Sequence, residues 1–79
     1  MKKSTDTSKR IPIGIIQRLV AKECLFYGDS SKSRITEITR RYFSQLKKDG
    51  FVIRDERASQ NKNARRVNYF MEKYQKLDN

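Results

Sequence analysis

SRITEITRRYFSQLKKDGFVIRDERASQNKNARRVNYFM, residues 33–71, is the stretch that decides how this chain folds. Ile35, Ile38, Thr39, Tyr42, Phe43 and Leu46 recur at a spacing that, at about 100° per residue, makes one apolar stripe on a helix. Thr36, Glu37, Arg40, Arg41, Ser44, Lys47 and Lys48 fall on the other side. Ser33 is the expected N-cap, because its hydroxyl can accept from an orphan N–H. Lys47 and Lys48 stand where positive charge suits a helix C-terminus. Gly50 comes just past the expected end, where a left-handed backbone is cheap without a Cβ. The pattern predicts a helix over 33–49.

After Gly50 the expected period is that of a strand. Phe51, Val52 and Ile53 are aromatic and β-branched, and Arg54 to Ala58 turn charged, as a strand does on leaving the core. Ser59-Gln60-Asn61-Lys62-Asn63 is a run of turn formers. Arg65 to Met71 then mirrors the first strand, charged near the turn and apolar away from it. This symmetry predicts a hairpin with an apolar base and a basic tip.

Leu46-Lys47-Lys48-Asp49-Gly50-Phe51-Val52, followed by the basic stretch from Arg54 to Tyr69, resembles the C-terminal half of a winged helix-turn-helix DNA-binding domain. The likeness implies a small α+β winged-helix-like domain over 11–79: two or three helices plus a C-terminal β-hairpin wing. It also implies a recognition helix (33–49) in the major groove of double-stranded DNA and a wing (54–66) on the backbone or minor groove. The family has three helices ahead of its wing, and two are legible here. Either the helix over 14–27 takes the second-helix role, or a short helix lies around 28–33. In the first case, the C-terminal segment or a second copy closes the core, so a homodimer is one expectation.

Composition bounds the remainder. A chain of 79 residues with 35% hydrophobic content makes one small domain, and a chain that size buries only about 60% of its unfolded surface. No deep substrate cavity fits. Nineteen basic against nine acidic residues give a net charge of +10, which attracts polyanions and opposes compaction. Nucleic acid is the leading partner class, ahead of an anionic membrane, and no small-molecule substrate is evident. No apolar run reaches the roughly 18 residues of a membrane span, and nothing apolar follows Lys2 and Lys3 as in a signal peptide. Cys24 is the one cysteine and histidine is absent. An internal disulfide and a zinc site are therefore excluded, no cofactor is expected, and a cytoplasmic location fits (nucleoid-associated in a prokaryote).

Residues 1–10 are polar and aperiodic, and read as a disordered basic arm. Pro12 stands either at a first helical position or in a short strand, Arg10 to Ile13, against the hairpin. From Ile15 to Phe26 the period is helical: Ile16, Val20, Cys24 and Tyr27 share a line, with Leu19 and Phe26 beside it. Cys24 on that side reads as a small buried hydrophobe. Arg18 and Lys22 read as a solvated face. Gly28 to Lys32 is a loop, and Met71, Tyr74 and Leu77 suggest a short C-terminal helix.

A helix in the major groove meets a distinct donor and acceptor pattern at each base pair. Thr36, Glu37, Arg40, Arg41 and Ser44 are the candidate base readers. Each arginine can fork onto a guanine, and Glu37 can accept from cytosine. Lys32, Arg34, Lys47 and Lys48 suit the backbone, as do the wing residues Arg54, Arg57, Lys62, Arg65 and Arg66. Tyr42, Phe43, Phe51, Tyr69 and Phe70 suit core packing better than base stacking. Asp55 and Glu56, adjacent on a strand, would face opposite ways and make a poor catalytic pair, so no enzyme is expected. The expected role is sequence-specific regulation of transcription. The alternatives are an excisionase-like architectural factor, a protein-interaction module on the same fold, or an RNA-binding protein.

Overall fold

The computed structural model describes residues 9–59 and 62–77. The expected arm therefore lies outside the described residues from 1 to 8, as do Gln60 and Asn61 of the expected turn. The elements run β1 (Arg10–Pro12), α1 (Ile13–Tyr27), α2 (Lys32–Lys48), β2 (Val52–Arg54), α3 (Glu56–Ser59) and α4 (Asn63–Leu77). Three long helices and a two-stranded sheet make a small α+β fold.

Both α1 and α2 stop by the same device. Gly28 takes φ 71° and Gly50 takes φ 92°. The amide of the residue after each glycine reaches back five residues, Asp29 N–H to Cys24 at 3.1 Å and Phe51 N–H to Leu46 at 2.9 Å. Both orphan carbonyls are thereby satisfied in a Schellman turn. The start of α2 differs from expectation. Ser31, not Ser33, is the N-cap, its hydroxyl accepting from Arg34 N–H at 3.2 Å. Asp29 sets that geometry by accepting from Ser31 N–H at 3.0 Å, a local turn that Ser33 has no carboxylate to make.

The sheet is parallel, pairing Arg10 with Val52, Ile11 with Ile53 and Pro12 with Arg54. Of the two places open to Pro12, the structure takes the strand, with Pro12 at φ −67° and ψ 143° also preceding the first turn of α1. Ile53 faces the core while Val52 stays exposed, the alternation of a short edge strand.

The expected hairpin is overturned. Asp55 leaves β2 with φ 63°, a left-handed conformation that aspartate tolerates better than most residues. Four residues of α3 follow, and 63–77 is helical. The stretch expected as a second wing strand, Arg65 to Met71, is the heart of α4. Its apolar residues explain why: Val67, Phe70, Met71 and Tyr74 follow one another at three, one and three residues, a helical period and not an alternating one.

α1 packs against both α2 and α4. The core joins Ile16, Val20, Ala21 and Cys24 of α1 to Ile35 and Ile38 of α2, Ile53 of β2, and Val67, Phe70 and Met71 of α4. Each large apolar side chain contributes about 1.5–3 kcal/mol on burial. Val67, Phe70 and Met71 of α4 are three of these buried side chains. α4 therefore closes the core, as the alternative of a C-terminal segment required. Tyr69, expected inward, is half exposed, and the stripe of α1 is narrower than expected: Phe26 is 85% exposed and Leu19 37%. A polar thread ties the helices together. Gln17 donates to Asn63 Oδ1 at 3.3 Å, Asn63 Nδ2 donates to Thr39 Oγ1 at 3.0 Å, and Thr39 donates to the Ile35 carbonyl at 2.7 Å.

Candidate nucleic-acid interface

With Ile35, Ile38 and Thr39 buried, the opposite side of α2 faces solvent. Lys32, Thr36, Glu37, Arg40, Arg41 and Ser44 line one shallow, open depression along it. All five expected base readers are therefore brought together. Their charges are not equivalent. Glu37 accepts from Arg34 Nη1 at 3.2 Å through one oxygen and from Arg41 Nη2 at 3.0 Å through the other. Arg40 is exposed and has no ion-pair partner among the described residues.

Arg34, expected at the phosphate backbone, is engaged within the protein. Its Nε donates to Asp29 at 3.3 Å, and its guanidinium lies 5.4 Å from the Tyr27 ring centre. Hydrogen bonds from Ser31, and then Arg34, hold the Asp29 carboxyl below its usual range. The Asp29 contact, and then the Glu37 charge, push Arg34 further up. Lys47 is likewise engaged, donating to Glu56 at 3.0 Å across to α3. Lys48, Arg54 and Arg57 are exposed. Asp55 and Glu56 never form the adjacent strand pair expected of them, since one is in the left-handed turn and the other opens α3.

Lys62, Arg65 and Arg66 do not meet at a wing tip. Lys62 immediately precedes α4 and Arg65 and Arg66 lie in its first turn, and the outer side of that helix also carries Tyr69, Lys73 and Lys76. The last two are no part of the expected surface, although basic residues at 62, 66, 73 and 76 keep helical spacing with Arg65. Arg18 and Lys22, expected to be merely solvated, lie against this helix: Arg18 is 5.3 Å from the Phe70 ring centre and Lys22 5.3 Å from that of Tyr74. Only the packing of α1 on α4 brings them there.

Among the described residues no group of three or more His, Cys, Asp or Glu could hold a metal ion, and no helix is long and apolar enough to cross a membrane. No protein-family model, no curated protein and no solved structure matches this chain.

Proposed function

We propose that this chain binds double-stranded DNA with the outer face of α2 in the major groove. The observation that carries this is Arg40, exposed and unpaired among the described residues, beside Arg41 on one open helix face of a chain with net charge +10. Arg40 is the principal base reader, its guanidinium free to fork onto guanine O6 and N7. Glu37 aims Arg41 instead of accepting from cytosine. The remaining N–H groups of Arg41 stay available, and an exposed pair worth about 0–1 kcal/mol exchanges readily for a base. Thr36 and Ser44 supply hydroxyl contacts. Lys32, Lys48, Arg54 and Arg57 supply phosphate contacts that set the register. Likeness to a winged helix now rests on α2, Gly50 and β2; the hairpin wing is not part of the proposal. Regulation of transcription, from a cytoplasmic or nucleoid-associated location, is the role such binding serves, with architectural bending of DNA beside it.

Selection of bound sequences from a random duplex pool at physiological salt tests this. Enrichment of a guanine-containing motif is the expected result. No enrichment and no duplex affinity would favour a second reading, a protein-interaction module, whose partners include a second copy of this chain. The observation behind that reading is Phe26, 85% exposed, in line with the exposed Leu19 and Ile15 on α1.

A further inference from the structure

Arg65, Arg66, Lys73 and Lys76 fall within an arc of about 100° on α4, with Tyr69 at its centre. The packing of α1 extends this arc. Arg66 lies 5.7 Å and Arg18 5.3 Å from the centre of the same Phe70 ring, so one aromatic side chain gathers two guanidiniums from different helices. Lys22 over Tyr74 and Lys73 over Tyr69, at 5.3 and 5.6 Å, continue the row. Rings hold cations in place without cancelling their charge.

One acidic residue, Glu72, borders the arc about 20° beyond Arg65, on the side of α4 that lines a cavity with Asn68, Met71 and Gln75. Among the described residues every ion pair uses Asp29, Glu37 or Glu56, on or beside α2, and none lies on this seam. Like charges in excess of the bordering Glu72 repel, by about 1 kcal/mol at 4 Å even in water, and an approaching anion relieves that. The row from Arg65 to Lys76 is about 17 Å long at 1.5 Å per residue. At 3.4 Å of axis per phosphate it matches roughly five phosphates of one duplex strand. No residue of α4 lines the depression along α2.

We infer that the seam of α1 and α4 is a second duplex-binding surface, which grips the phosphate backbone without reading sequence, so that one molecule holds two duplex segments at once. This rests on the proposed function only for the nature of the ligand. A rigid row of point charges suits a duplex better than a bilayer, because Phe70 is buried and Tyr74 half-buried beneath its cations, so that of these three rings Tyr69 alone stands half exposed.

The test is capture of a fluorescent duplex by a second, immobilised duplex in the presence of the full chain, compared with the variant Arg66→Gln/Lys73→Gln. Wild type should capture. The variant should lose at least tenfold in capture while keeping its affinity for a single selected duplex within threefold. Its slope of log K against log salt on random duplex should flatten by up to about 2. Circular dichroism checks its fold, and Lys73→Glu/Lys76→Glu, which leaves the Phe70 cluster intact, serves if the first variant unfolds. Capture that persists in a folded variant would come from two copies each using α2, and overturns the inference. Absence of capture by wild type overturns it as well, as does stronger binding to phosphatidylserine vesicles than to duplex that the same variant abolishes. Arg40→Ala/Arg41→Ala separates the two proposals: if α2 does not read bases, that variant behaves as wild type on selected duplex while the seam variant still fails to capture.

Discussion

Cys24 shows how far one residue's environment could be anticipated. Its place on the apolar line of α1 implies burial, and it is 1% exposed. What the line does not show is its neighbours. Burial pushes the thiol above its ordinary 9.0, the Asp29 and Glu23 carboxylates push it further, and Arg34 opposes them. Tyr42 is pushed from 10.0 to about 12 by burial first, then by a hydrogen bond to Glu23 and that carboxylate's charge. Both groups are harder to ionise folded than unfolded, so the unfolded chain releases their protons first. Their contribution to stability is complete below the unfolded values and is lost as pH rises through the folded ones. Urea unfolding of wild type and of Cys24→Ala/Tyr42→Phe should therefore differ most below pH 9.0 and converge towards pH 12. A difference that stays constant, or widens, over that range would contradict the assignment.

At the scale of elements, α2 was legible because its stripe of Ile35, Ile38, Thr39, Tyr42 and Leu46 runs over three turns. Its cap was not, because Ser31 and Ser33 are chemically alike and only the turn made by Asp29 distinguishes them. Ser31→Ala should cost about 1 kcal/mol of unfolding free energy in denaturant titration, and Ser33→Ala about a tenth of that; the reverse order would place the cap wrongly. The segment 65–71 reads as a strand for a related reason. Taken alone it mirrors the charge pattern of 51–58. Only with Tyr74 does the three-and-four spacing stand out, and the residues from Met71 on read by themselves as a separate short helix. For the candidate site, the faces of Thr36, Arg40 and Ser44 follow from helical period. The ties of Arg34 to Asp29, of Lys47 to Glu56 and of Arg18 to the Phe70 ring depend on which elements meet, which no local pattern carries.

The molecule as a whole is held by a thin core, so a single polar thread through it matters. Gln17 is 1% exposed, and its amide donates to Asn63, which in turn donates to Thr39. Asn63→Ala strips the acceptor from a buried donor, and should lower stability by about 1–3 kcal/mol in urea unfolding. A loss near zero would mean that water replaces Asn63 at no cost and that α4 docks through apolar contacts alone. The same whole-molecule arrangement leaves the outer face of α2 free, and DNA reading by that face is the central claim. It is tested most directly by equilibrium binding of wild type and Arg40→Ala/Arg41→Ala to a selected duplex and to random duplex at one physiological salt concentration. The expected result is a loss of about 1–3 kcal/mol per arginine on the selected duplex, with a markedly smaller loss on random sequence. An equal loss on both duplexes would contradict base reading by α2.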